Sequence, residues 1–234
     1  MNTMETVAAV LNELAQLASP KNRSNMVREG INVQTAFGVP FATLREIAKR
    51  FDKNNELASA FWETGNHEAR LLAPMIADES NIDESQLEHW VKDIDSWDIS
   101  DLLCNGFVVK TQWAWPKAAE WARADAQWTK RCGFVLMASL SVHDKKAEDQ
   151  KFINLLTIVE QEVRDERNFV KKAISWALRG IGRRSMALNS AAISCAERIA
   201  AQNQDHKTAR WVANDALRKL KSEKVQKRLS RKGL

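Results

Sequence analysis

The run Lys171-Lys172-Ala-Ile-Ser-Trp176-Ala-Leu178 decides how this chain is read. A basic start is followed by a small residue and then by a bulky apolar run at helical, not alternating, spacing. The same order stands at Lys130-Arg131-Cys-Gly-Phe-Val-Leu-Met137 and at Lys207-Thr-Ala-Arg210-Trp211-Val-Ala213. The copies begin 41 residues apart (130 to 171) and 36 apart (171 to 207), with His67-Glu68-Ala69-Arg70-Leu-Leu-Ala73 as a weaker fourth. Self-similarity at a period near 40 marks stacked helix pairs, each of which buries its apolar face against its neighbours.

Working outward, helical periodicity broken by short polar or Gly/Pro punctuation outlines thirteen helices: 3–18, 20–31, 40–51, 54–64, 66–79, 83–94, 96–109, 114–124, 126–142, 147–163, 166–182, 185–201 and 206–229. Only 8 Gly and 4 Pro stand in 234 residues, and β-branched runs such as Phe107-Val-Val are too few for a sheet. Ser19 before Pro20 reads as N-cap and N1, Pro40 opens the third helix, and Asp83 with Gln86 fits a capping box. Pro74 removes a helical hydrogen bond and is expected to kink or divide its helix. The expected fold is all-α, a right-handed superhelix of about six HEAT-like antiparallel helix pairs with a basic concave face. Residues 1–234 are expected to form one HEAT-like-repeat domain, with a basic helix or tail over about 219–234.

The net charge of +5 conceals a split. From Arg164 onward 18 Lys and Arg face 6 Asp and Glu, a balance of +12, so the first 163 residues carry −7. Such asymmetry points to a polyanion partner for the second half. Cys104, Cys132 and Cys195 lack metal or redox spacing and read as reduced core residues, and the four histidines form no ligand cluster. No metal and no cofactor are expected. Without a signal-like N-terminus or a long apolar span, the chain is expected to be a cytoplasmic monomer with no membrane association.

Ser96-Trp97-Asp98-Ile-Ser-Asp101 carries the chemistry. On a helix Trp97 and Asp101 are i,i+4 neighbours, an indole beside a carboxylate, suited to a cationic sugar or base. Asp98 points elsewhere and reads as structural. Taken alone, Trp97 and Trp176 also fit packing roles and Asp101 a surface or capping role. Trp90, Trp113, Trp115, Trp121 and Trp128 read as packing residues, and Glu68 and Arg70 as structural polar groups. In a solenoid, Trp97, Arg131 and Trp176 would line one surface.

At these residues the chain resembles the HEAT-like-repeat DNA alkylation repair family, the AlkD-like DNA glycosylases. The matching elements are Trp97-Asp-Ile-Ser-Asp101, Trp128-Thr-Lys-Arg131, and Phe169-Val-Lys-Lys-Ala-Ile-Ser-Trp176-Ala-Leu-Arg179, and the resemblance spans about residues 20–220. It implies a partner, double-stranded DNA containing alkylated bases, and an activity, hydrolysis of the N-glycosidic bond of N3- and N7-alkylated purines. It also implies that Asp101 is the catalytic carboxylate, that Trp97 and Trp176 are walls against the lesion's deoxyribose, and that Arg131 and Arg179 contact phosphates. Lys171, Lys172, Arg183, Arg184 and Arg210 stand at inner-helix or turn positions suited to tracking the backbone. One departure is plain: well-studied members carry a tyrosine near the start of the second helix, whereas this chain has none and places Met26 to Gly30 there. Two alternatives stay open, a non-catalytic binder of damaged or branched DNA and a protein-interaction scaffold.

Overall fold

The computed structural model describes residues 2–231, and all regular structure among them is helical. The α-helices are α1 (Thr3–Gln16), α2 (Pro20–Arg28), α3 (Phe41–Ala48), α4 (Asn55–Glu63), α5 (His67–Ile76), α6 (Glu84–Lys92), α7 (Trp97–Leu102), α8 (Ala114–Trp121), α9 (Gln127–His143), α10 (Asp149–Glu162), α11 (Asn168–Ile181), α12 (Met186–Gln202), α13 (Lys207–Leu220) and α14 (Glu223–Arg231). None of the helices among the described residues is long and apolar enough to cross a membrane. The chain divides into two compact units, the first ending at Gln112 and the second beginning at Trp113.

Helix starts follow local chemistry. Ser19 Oγ accepts the Asn22 N–H with Pro20 at N1, and Asn54, Asn66 and Ser185 cap α4, α5 and α12 in the same way. Asp83 does cap α6, but the reciprocal half of the expected box is missing, because the Gln86 side chain turns to the Ser59 hydroxyl instead. Pro40 is the N-cap of α3.

In the second unit α9 packs on α11 and α11 on α13, while α10 packs on α12. The three copies of the repeat lie on α9, α11 and α13, successive helices of one layer. Their small residues Cys132, Ala173 and Ala209 are all fully buried. Packing is tightest at Gly133, where an added Cβ would lie 2.1 Å from the backbone nitrogen of Ala122 at the end of α8. In the first unit α5 contacts both α3 and α7, so the weaker copy on α5 has the same kind of position, and α4 pairs with α5. The core there is aromatic: Trp62 and Trp90 stack at 4.9 Å with Phe107 5.9 Å from Trp90. Such a pair adds roughly 0.5–1.5 kcal/mol beyond burial.

Three expectations are corrected. The helix drawn over 96–109 is three pieces, α7, a π-helical turn over Leu103–Phe107 and a 3-10 turn over Val108–Lys110. Leu103, Cys104, Phe107 and Val108 of these turns are all buried, and π-helical turns of this kind occur as single insertions in α-helices. The helix drawn over 206–229 breaks between Leu220 and Glu223, and α14 buries Val225 and Leu229, so the described part of the basic tail is a packed helix. Residues 232–234 of that tail lie outside the described residues. Pro74 does not divide α5 but stands inside its last turn, two residues before the helix ends at Ile76.

Candidate functional site

Trp97 is the first residue of α7 and Asp101 stands one turn later, both half-buried. The indole Nε1 donates to the Glu29 carbonyl at 3.0 Å, at the C-terminal cap of α2. Asn32 Nδ2 donates to Asp95 Oδ2 at 2.7 Å. Two bonds therefore tie the stretch after α2 to the start of α7 and set the edge of the Trp97 ring. The Met26 to Gly30 region, which lacks the tyrosine, meets the indole through a backbone carbonyl.

Asp98 is committed elsewhere. Its Oδ2 lies 2.9 Å from His67 Nε2, and its Oδ1 accepts from Ser96 Oγ at 2.6 Å and from the Ile99 N–H at 3.0 Å. Burial by itself disfavours charge on both partners, yet their mutual bond prevails: Asp98 is held below the usual carboxylate range and His67 is raised above its ordinary value. Asp98 also occupies the first turn of α7, where negative charge suits the helix dipole. The structural role read for Asp98 from sequence holds.

Glu68, 1% exposed, accepts the N–H groups of Phe37 (3.0 Å), Gly38 (2.7 Å) and Val39 (3.1 Å). It pins the segment between α2 and α3, which turns at Gly38 with φ +83°. Arg70 donates to the Asp93 carbonyl at 3.1 Å and lies over the Trp62 ring at 5.6 Å. Both residues are structural, as read from the sequence.

In the second unit the basic candidates divide. Arg131 is 6% exposed and its Nη1 donates to the Phe169 carbonyl at 2.7 Å, linking α9 to the first turn of α11. Arg179 donates to the Ser175 carbonyl and lies 3.3 Å from Asp215. Arg184 donates to the Ala147 carbonyl at 2.8 Å and stacks over Phe152 at 4.6 Å. These three guanidinium groups brace helices. Lys171, half-buried, holds its ammonium 5.7 Å from the Trp211 ring, whereas Lys172 and Arg210 are exposed.

Trp176, Arg183 and Arg184 meet in one groove of about 820 Å³ with Lys145, Asp149 and Arg228. Sequence reading missed Lys145 and Arg228, which belong to no repeat copy. Asp149 lies 3.9 Å from Arg184 and accepts from Ser185, so it answers only part of the positive charge. Arg183 Nε is buried without a hydrogen-bond partner among the described residues. Burial, then Arg179 and Arg228, lower the Arg183 pKa, against a smaller opposing influence of Asp215. A buried cationic donor among like charges is a site that attracts an anion.

Cys104, Cys132 and Cys195 are buried thiols outside any disulfide among the described residues, and burial pushes the Cys195 thiol up to about 12, which makes it inert as a nucleophile.

The sequence profile described as "DNA alkylation repair enzyme" matches residues 10–220. The chain belongs to this DNA alkylation repair family. No curated protein sequence matches it. Among solved structures, the chain is similar to one described as "A new family of proteins related to the HEAT-like repeat DNA glycosylases with affinity for branched DNA structures". The two share 22% identity, the match covers 81% of each chain, and the TM-score is 0.73. The alkylation repair family assignment is thus joined to a HEAT-like fold, in line with the layered repeat on α9, α11 and α13.

Proposed function

We propose that this protein is a DNA glycosylase that releases cationic N3- and N7-alkylated purines from double-stranded DNA. The observation that carries the reading is the start of α7, where Trp97 and Asp101 stand one helical turn apart, both half-buried, with the Trp97 indole fixed by its bond to the Glu29 carbonyl. Alkylation at N3 or N7 makes the purine cationic, so the C1′–N bond can break with its electron pair leaving on a neutral base. No general acid is needed, and one carboxylate suffices where ordinary glycoside hydrolysis uses two. Positive charge moves to the sugar as the bond breaks. Asp101 stabilises that oxocarbenium character and orients the water that adds at C1′, its proton passing to solvent.

Trp97, oriented by its bond to Glu29, presents an indole whose negative face attracts the cation, an effect of roughly 0.5–2 kcal/mol. Arg183, Lys171, Lys172 and Arg210 contact backbone phosphates. Arg131, Arg179 and Arg184, braced to carbonyls, hold α11 and its surroundings against the duplex and add positive potential.

A second reading is non-catalytic recognition of branched DNA. It is favoured by the described affinity of the similar solved protein and by the absence of tyrosine. Duplex DNA methylated at N3-adenine and N7-guanine separates the two. Base release by the wild type that vanishes in Asp101→Asn supports the glycosylase. Salt-sensitive binding with release by neither protein supports the second reading, and absence of DNA binding removes both.

A further inference from the structure

The face of α3 away from the core bears a pattern that the lesion site does not use. Phe41, Arg45, Ala48 and Lys49 fall at i, i+4, i+7 and i+8 and so share one face, while Leu44 and Ile47 fill the core opposite. This face borders a groove of about 550 Å³, closed on its other sides by the end of α5 and by the π-helical turn that follows α7. Phe41 is 49% exposed, unusual for so large an apolar ring. Four cations line the groove, Arg45, Lys49, Lys53 and Lys110, and no carboxylate does. They stand in the part of the chain whose net charge is negative.

Two of these cations have partners, Lys49 with Glu46 at 2.7 Å and Lys53 with Glu79 at 3.2 Å. The first of those pairs is well exposed and therefore weak. Arg45 has no ion pair among the described residues, and Lys110 is answered only at a distance, by the Glu79 carboxylate, which it helps Lys53 to hold below its ordinary pKa. An exposed aromatic ring amid cations matches one ligand chemistry closely: a strand whose bases offer flat π faces and whose backbone offers regularly spaced phosphates. Duplex DNA supplies the phosphates but keeps its base faces stacked and out of reach of Phe41. An acidic peptide offers charge without repeated flat rings, and a lipid surface asks for a broader apolar face than one phenylalanine.

We propose that this groove binds single-stranded DNA, with an unpaired base stacked on Phe41 and the flanking phosphates held by Arg45, Lys49 and Lys110. This rests on the reading of the chain as a DNA-binding protein. Because Leu102 and Gly106 line the groove, the unpaired strand would lie against the segment that directly follows Asp101.

The test is fluorescence anisotropy with labelled oligo-dT, a blunt duplex, and a duplex bearing a single-stranded overhang. Wild type is compared with Phe41→Ala and with the double variant Arg45→Gln, Lys49→Gln, and far-UV circular dichroism confirms helix content. Both variants should lose roughly tenfold in affinity for oligo-dT and for the gain conferred by the overhang, with blunt-duplex affinity unchanged. Unchanged oligo-dT binding in both variants overturns the proposal while leaving the duplex reading intact. So does a parallel loss for duplex and oligo-dT. A wild type that binds neither DNA form removes the DNA-binding reading as well.

Discussion

Asp98 Oδ2 and His67 Nε2 lie 2.9 Å apart, and this contact separates the two carboxylates of α7. His67 is 2% exposed at the start of α5, and the Asp98 side chain is 19% exposed at the start of α7, so the pair joins two helix N-termini inside the first unit. A pair so placed is costly to break from one side, because the remaining partner is left buried without its counter-charge.

Stability should therefore depend on pH through this pair. The folded His67 pKa is raised, so its contribution is complete below the ordinary value of 6.5 and is lost as pH rises through the folded value. The folded Asp98 pKa is lowered, so its contribution is present above the ordinary value of 3.8 and is lost as pH falls through the depressed one. The charged pair stabilises most between those two ordinary values. Thermal melts of wild type and His67→Gln across pH should converge toward alkaline pH and differ most within that window, by about 3–5 kcal/mol at the upper limit for a broken buried pair. Equal differences at all pH values would refute the charged-pair account.

Asp101→Asn should act differently from Asp98→Asn. Asp101→Asn is expected to cut base release by roughly 10²- to 10³-fold while duplex affinity is kept. Asp98→Asn is expected to lower the melting temperature first. Single-turnover release measured beside melting curves distinguishes them, and an Asp101 variant that releases base as fast as the wild type would contradict the catalytic role of Asp101.

Arg183→Gln should weaken duplex binding and flatten its salt dependence by about one unit of slope, the mark of one lost phosphate contact. Without DNA the same change removes repulsion from Arg179 and Arg228 and should raise the melting temperature slightly. Binding titrations at several salt concentrations and a melt of the free protein check both signs.

Gly133→Ala should destabilise the second unit. The added methyl would lie 2.1 Å and 2.6 Å from backbone atoms of Ala122, which cannot swing aside as a side chain would. A cost of about 1–3 kcal/mol or more follows from overpacking. Urea unfolding gives the comparison, and a variant as stable as wild type would mean that α8 and α9 separate readily.

Much of this was legible along the chain because helical stacking is a local and periodic problem. The copies at Lys130, Lys171 and Lys207 announce α9, α11 and α13, since each helix must present the same small and bulky residues to its neighbours. Ser19, Pro20 and Asp83 likewise mark helix starts with side chains that act within three residues. The π-helical turn at Leu103–Phe107 left no such mark, because it answers to the shape of the surrounding core rather than to local propensity.

The site divides along the same line. Residue order alone placed Trp97 and Asp101 on one turn, since a helix puts i and i+4 together wherever it lies. Only the tertiary structure decided that Asp98 meets His67, 31 residues away, that the Trp97 indole is held by Glu29, and that Arg131 is spent on the Phe169 carbonyl. It also brought Arg228 beside Arg183 in the Trp176 groove. Those pairings come from helices meeting across long sequence separations, where burial and hydrogen bonding select partners that no local period encodes.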